Sequence, residues 1–272
     1  GGLDFEPEDY FGYSDAVAEG AVDDQPLYLF DRAAFTKAPD LAAEFEPPPL
    51  FKDFFCVLGK ARPDYRWLIV GPPRSGSSFH KDPNATSAWN AVLSGSKKWI
   101  LFPPHVTPPG VHASADGANV ATPVSIIEWF LDFLEPARAG PVKPLEVVVR
   151  AGELLFVPRG WWHLALNLEE TIAITQNFSG HNLAPVLAFL RTANPDLISG
   201  VPEEERPTLY HRFRDALAAQ APEELAKADA CLRERDAKAA KDKALAALFT
   251  SSAGGGGALT SLSEPGGGGF AF

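Results

Sequence analysis

The chain has 272 residues, 46% hydrophobic and 22% charged, enough for one large domain with an appended part or for two modest domains. Its formal charge of −11 is uneven: residues 1–46 hold twelve Asp/Glu against Arg32 and Lys37 alone, a net −10. A strongly basic nucleic-acid footprint is not evident, and no apolar run reaches the length of a membrane span. Two cysteines far apart, Cys56 and Cys231, give neither a disulfide framework nor zinc spacing, so a reducing compartment is expected. Methionine is absent even at position 1, which suggests a processed or partial chain whose targeting signal is not legible.

In chain order, the first residues read as acidic turns. "PLYLFD" (26–31) reads as a short strand, followed by a helix-like piece ending at "PPP" (47–49). "YRWLIVG" (65–71) alternates and is rich in aromatic and β-branched residues, so it predicts a strand. A Gly/Pro/Ser loop leads to "SFHKD", and "SAWNAVLSG" is either a strand or a bent connection. "KKWILFPP" (97–104) predicts a strand stopped by prolines, with a Pro/Gly/Ala loop over 103–124. "SIIEWFLDFLEP" (125–136) predicts a helix capped by Ser125 and stopped at Pro136. Residues 145–178 predict three strands broken by "RAGE", "PRGW" and "LEET" turns. After residue 182 the apolar period becomes helical in "APVLAFLRT", "TLYHRFRDALAAQ" and a long Ala-rich, charge-balanced segment. The Gly/Ser-rich end reads as a flexible tail.

Residues i and i+2 of a strand share a face, so His80 and Asp82 can reach one ion while Lys81 points away. Of the six histidines, only His163 lies in a clean strand–turn–strand pattern, and it supplies a third donor. Two imidazoles and a carboxylate on one side of an ion leave coordination positions free, as in non-haem iron oxygenases. Zinc or manganese remains open on donor chemistry alone.

"GPPRSGSSFHKDPNATSAWNAVLSGSKKWILFPP" (71–104) and "AGELLFVPRGWWHLALNLEETIAITQNF" (151–178) together resemble the Jumonji-C family. Within it they are closest to the phosphatidylserine-receptor-type branch of arginine demethylases and lysyl hydroxylases. The likeness runs over roughly residues 24–182 and includes "PLYLFD". It implies a mainly β fold, a double-stranded β-helix or cupin-like jelly roll, with N-terminal additions and a C-terminal helical region. The expected division is 1–58 for acidic N-terminal elements and 59–182 for the catalytic core. A helical region over 183–250, with possible dimerisation, and a tail over 251–272 complete it.

The resemblance further implies Fe(II) held by His80, Asp82 and His163, with 2-oxoglutarate and O₂ as co-substrates. Lys97 falls on the family's lysine for the distal carboxylate and Thr175 on its hydroxyl partner, while Asn90 and Tyr28 match further co-substrate contacts. Ser77 stands where the family has Thr, keeping the hydroxyl and losing a methyl. Asn177 also matches, either ordering co-substrate or substrate or serving as a buried amide. Strand parity sends Lys97 and its neighbour Lys98 to opposite faces, so only one enters a pocket. Trp89, Trp99, Trp161 and Trp162 read as packing residues.

The implied activity is hydroxylation of a lysyl side chain or demethylation of N-methyl-arginine in histone tails or Arg/Ser-rich proteins. The acidic N-terminal segment suits such a basic partner. A nuclear location, RNA contact and a homodimer through the C-terminal helices follow from the resemblance alone, with no membrane role. Two other readings stand beside it: a catalytically silent Jumonji-C binding module for chromatin or protein partners, and a cupin isomerase or dioxygenase of small metabolites.

Overall fold

The computed structural model describes residues 6–114, 119–123 and 125–252. The Gly/Ser-rich tail expected over 251–272 lies, from residue 253 on, outside the described residues.

Where acidic turns were expected, the chain begins with a helix, α1 (Pro7–Ala18). Pro7 sits at its start and Glu8 and Asp9 lie in its first turn, where they complement the helix dipole. Tyr10, Ser14 and Val17 form its buried stripe at helical spacing. The Tyr10 hydroxyl donates to the Val70 carbonyl at 2.7 Å and so ties the helix to the sheet. Strand β1 (Leu29–Asp31) follows. The helix-like piece is two short helices, α2 (Ala34–Lys37) and α3 (Pro39–Ala43). They part at Ala38, because a residue before proline is driven out of the helical region.

The central strands are β2 (Arg66–Gly71), β3 (Gly76–His80), β4 (Ser87–Ser94) and β5 (Ser96–Phe102). The 103–124 loop carries a small hairpin, β6 (His112–Ala113) with β7 (Val120–Ala121). Helix α4 (Ile126–Asp132) starts at Ser125, as expected, through a reciprocal capping box with Glu128. It does not run to Pro136. It breaks at Phe133, and α5 (Leu134–Ala139) takes Pro136 into its first turn, where a missing N–H goes unmissed.

The 145–178 stretch holds four strands rather than three, since three turns separate four segments. They are β8 (Leu145–Arg150), β9 (Leu154–Val157), β10 (Trp162–Asn167) and β11 (Thr171–Phe178). The predicted helices of the last third are present as α6 (Ala184–Thr192), α7 (Leu209–Gln220) and α8 (Pro222–Ser252). None of the described helices is long and apolar enough to cross a membrane.

Two antiparallel sheets face each other, in the orders β1-β2-β11-β4-β9 and β3-β10-β5-β8. The chain steps between them: β2 to β3 to β4 to β5, then β8 to β9 to β10 to β11. Two four-strand runs thus wind around one axis and pair with each other, which is the jelly roll expected. Alternate side chains point inward. Ala88, Val92, Trp99, Leu101, Val149, Val157 and Ala165 form the core between the sheets. Phe79, Ile100, Phe102, Trp162 and Leu164 cover the outside of the smaller sheet and meet Trp129 of α4. Trp89, Ile174 and Phe178 cover the outside of the larger sheet. Trp89, Trp99 and Trp162 are thus buried packing residues, as read from the sequence.

Leu187, Leu209, Phe213 and Leu217 bury completely against Phe54 and Phe55, so α6, α7 and the first turns of α8 have a core of their own. Each fully buried side chain of this kind contributes about 1.5–3 kcal/mol. Phe54 and Phe55 lie in the connection between β1 and β2, so a segment from the N-terminal part of the chain closes the C-terminal helical core.

Candidate metal centre

Strand β3 ends at His80, and Asp82 lies beyond it on extended backbone (φ −60°, ψ 142°) rather than within a strand. The two side chains still converge, because extended backbone keeps the alternation of a strand. The next turn is tight, with Asn84 and Ala85 both at positive φ (55° and 53°). Asn84 is held there by both ends of its amide, donating to the Ser199 carbonyl (2.8 Å) and accepting from the Ser199 N–H (3.1 Å).

His80 pairs directly with His163 across β3 and β10, with ring centres 4.2 Å apart. Donor atoms of His80, Asp82 and His163 all lie within 4.8 Å of one another. Each imidazole holds its Nδ1 against a backbone carbonyl, Ser78 at 2.8 Å for His80 and Trp161 at 3.1 Å for His163. A carbonyl only accepts, so Nδ1 carries the proton and Nε2 presents its lone pair, the arrangement of metal-binding histidines. Burial, with His80 alongside, holds His163 well below the usual imidazole range, so it is neutral. Burial raises the Asp82 carboxyl, opposed by His80 and by a hydrogen bond from Asn177. Asp82 Oδ1 accepts that bond at 3.1 Å, while its buried Oδ2 meets no partner among the described residues. A carboxylate oxygen buried without a partner is costly, and a cation among these donors removes the cost. The set therefore fits a divalent metal, with softness suiting iron or zinc alike.

Deeper in the barrel, Lys97 is fully buried and Lys98 is not. Lys98 leaves for the outside and pairs with Glu146 at 2.8 Å, so strand parity divides the two lysines as expected. Lys97 Nζ donates to Tyr28 Oη and to Asn167 Oδ1, both at 2.7 Å, and makes no ion pair among the described residues. Burial pushes its pKa down to about 7. Burial also raises the Tyr28 phenol, against a hydrogen bond with Ser77. Thr175 lies opposite Asn90 across β11 and β4. Its hydroxyl donates to the Trp89 carbonyl at 3.0 Å, which leaves its lone pairs available. Asn90 Oδ1 is buried with no partner among the described residues.

Ser77 reaches this pocket through a register shift. His80 pairs with His163, whereas Ser77 pairs with Ala165. Three steps along β3 match two along β10, so one extra residue bulges and Ser77 joins the face of His80. Simple alternation would have sent it to the other face. Lys81 lies outside, its Nζ 4.6 Å from the Trp162 ring centre and donating to the Pro104 carbonyl.

Sequence reasoning missed Asn167, the hub of this pocket. Its Oδ1 accepts from Lys97, and its Nδ2 donates to the Gly71 carbonyl and to Ser75 Oγ. The signal was present: Asn167 lies four residues beyond His163 on one strand, hence on the same face. Gly71 was missed as well. A Cβ there would stand 2.3 Å from Ser75 Oγ and 2.8 Å from the Tyr28 ring, so the network closes only around glycine.

A profile of the cupin-like domain family matches residues 11–183. The chain is 54% identical over 220 residues to arginine-specific demethylase JMJ22 of Arabidopsis thaliana, covering 80% of this chain and 43% of that protein. It is 36% identical over 210 residues to the bifunctional arginine demethylase and lysyl-hydroxylase psr-1 of Caenorhabditis elegans, covering 74% and 49%. To the human 2-oxoglutarate and iron-dependent oxygenase JMJD4 it is 38% identical over 133 residues, covering 47% and 30%. The chain thus spans about half the length of these relatives, or less.

Proposed function

Because this chain belongs to the cupin-like domain family and is of its Jumonji-C type, we propose that it is an Fe(II)- and 2-oxoglutarate-dependent oxygenase. Its substrates on this reading are basic side chains of proteins. The observation that carries the proposal is the pairing of two features inside one barrel. His80, Asp82 and His163 converge with one carboxylate oxygen unsatisfied, and a fully buried lysine lies deeper with no anion beside it among the described residues. A metal ion alone accounts for the first feature, and a bound carboxylate accounts for the second.

On this reading His80, Asp82 and His163 hold the iron, and Lys97, Tyr28, Thr175, Asn90 and Ser77 receive 2-oxoglutarate. Bound iron supplies the coupling of 2-oxoglutarate and O₂ to substrate oxidation, giving succinate, CO₂ and one hydroxyl on a substrate carbon. The protein's part is positioning. Asn177 steadies Asp82 through its amide, and the two backbone carbonyls fix the imidazole rings. Lys97, protonated, binds the far carboxylate of the co-substrate, with Tyr28 and Asn167 orienting the ammonium. The apolar lining from Ala88 to Val157 keeps water out.

Whether the product is a hydroxylated lysine or a demethylated arginine depends on which C–H bond is held at the metal. A hydroxyl on a methylene stays, whereas one on an N-methyl carbon leaves with it as formaldehyde. The relatives described as arginine demethylases and lysyl-hydroxylase support both outcomes for a basic protein substrate.

The test is anaerobic loading with Fe(II), then O₂ and ascorbate. Succinate is measured alongside mass spectrometry of lysine- and methyl-arginine-containing peptides. The expected result is succinate formation and a peptide that gains one oxygen or loses a methyl. Asp82→Ala should abolish both while leaving the far-UV circular dichroism unchanged. An iron-loaded protein that turns over no 2-oxoglutarate with any peptide would identify a silent binding module instead.

A further inference from the structure

On the outside of the larger sheet, away from the metal, a cavity of about 370 Å³ lies between the Pro47–Pro49 segment and β2. That is the size of a small-ligand site. Its charge runs against that of the chain. Lys52, Arg62 and Arg66 line it with Asp53 as the only acid, in a protein of net charge −11.

Asp53 cannot serve all three cations. One of its oxygens accepts from the Phe55 and Ser179 N–H groups and the other pairs with Arg62. Arg62 stacks on Tyr65 at 3.3 Å, and its buried Nε has no hydrogen-bond partner among the described residues. Arg66 is the more exceptional group. It is half-buried and packs against the rings of Phe45, Tyr65 and Phe35, at 4.8, 5.3 and 5.5 Å. Its Nε donates to the neutral amide of Gln176 at 3.0 Å, and among the described residues it makes no ion pair. Glu44 and Glu46 flank Phe45 but are exposed and form no ion pair there. Lys52 at the rim is offset in part by Glu224. Burial depresses the Arg66 guanidinium, opposed by Tyr65 and aided by the like charge of Arg62. An always-charged group held between aromatic rings beside a second arginine carries a desolvation cost that the rings and the Gln176 amide meet in part and that no carboxylate among the described residues offsets by pairing with it.

We propose that this cavity is a binding site for an anionic group of the phosphate type, held by Arg66 and Arg62 with Lys52 at its rim. Two guanidinium groups and an ammonium match the oxygens of a tetrahedral dianion, and the aromatic and proline walls supply the low-polarity surround that strengthens such contacts. The site is separate from the proposed active site, though both rest on β11. Gln176 faces the cavity while Thr175 and Asn177 face the barrel interior. A free phosphate monoester and a phosphorylated side chain of a partner share this chemistry.

Isothermal titration of the metal-free chain at fixed ionic strength tests it, with inorganic phosphate, phosphoserine and a phosphoserine tetrapeptide as probes. The wild type is expected to bind with a dissociation constant near or below about 1 mM. Arg66→Gln is expected to weaken binding about tenfold or more. Lys143→Gln, at an exposed position elsewhere, is expected to leave it unchanged. Tighter binding of the tetrapeptide than of phosphoserine would assign the source to a phosphorylated partner; equal binding would assign it to a free monoester. Should Arg66→Gln not fold, the exposed Lys52→Gln is expected to weaken binding several-fold. The proposal is overturned if no probe binds wild type, or if binding survives these cavity substitutions. It is equally overturned if binding is lost only in Lys97→Ala, which would place the anion in the barrel.

Discussion

Lys97 concentrates the electrostatics of the barrel in one side chain. Its pKa is pushed down to about 7 by burial, against about 10.4 for an exposed lysine. Between these values the unfolded chain binds the extra proton, so the penalty for Lys97 is full below about pH 7 and is relieved toward pH 10. Urea denaturation of the metal-free chain should therefore find wild type gaining on Lys97→Met as pH rises from 7 to 9, by on the order of a few kcal/mol at most. Co-substrate binding has the opposite sense. On the proposed reading it draws on the ammonium, so 2-oxoglutarate affinity should be fullest below about pH 7 and fall above it. Lys97→Ala should weaken 2-oxoglutarate binding in calorimetry by about tenfold or more while changing iron affinity less. Lys98→Ala, which loses only the part-exposed pair with Glu146, should cost no more than about 1 kcal/mol of stability and leave affinity unchanged. If Lys98→Ala were the variant that lost 2-oxoglutarate, the parity assignment would be reversed.

At the scale of elements, the Asp82 loop is braced by the C-terminal helical region. Asn84 joins them through two hydrogen bonds to Ser199 while holding a left-handed backbone. Asn84→Ala loses both bonds and places alanine at φ 55°, costing about 2–4 kcal/mol, whereas Asn84→Gly loses the bonds but not the backbone fit. Denaturation should rank wild type above Asn84→Gly and Asn84→Gly above Asn84→Ala. Metal titration should show weakened iron binding in both, because Asp82 stands two residues away. Equal iron affinity in all three would mean that the helical region does not steady the ligand. The β3–β10 pairing is equally exacting. A Cβ on Gly76 would stand 2.0 Å from the Ala165 carbonyl oxygen, so Gly76→Ala should separate the strands that carry His80 and His163. Far-UV circular dichroism and metal titration would register the loss together.

Over the whole molecule, charge is arranged by region. Residues 1–46 hold a net −10, and within them the acidic helix α1 packs beside the barrel through Tyr10. A long-range field of this kind acts on basic partners and is screened within about 10 Å at 0.1 M salt. Binding of a lysine- or arginine-rich peptide should therefore weaken severalfold between 50 and 300 mM NaCl. Neutralising Glu8, Asp9 and Asp15 together should flatten that dependence, because all three are exposed on α1. A salt-independent affinity would remove the N-terminal segment from substrate attraction.

Much of this was legible in the residues themselves. Alternation placed β2 and β5, helical period placed α6 and α7, and parity separated Lys97 from Lys98, because each depends only on backbone geometry over a few residues. Likeness to a family marked Ser77, but no local rule could have turned it inward. That took a bulge whose position is set by pairing with a strand almost ninety residues away. Helix α1 was hidden by its acids, although its buried stripe was written in Tyr10, Ser14 and Val17. The amino-acid sequence by itself determined the candidate metal-ligating residue types, the opposite faces of Lys97 and Lys98 and the strand and helix periods. Only the tertiary structure decided the convergence of His80 with His163, the Asn167 hub, the Asn84 brace and the cationic cavity behind β11. Each of those joins distant segments, and long-range contacts are selected by packing and hydrogen-bond satisfaction across the whole core rather than by local preference.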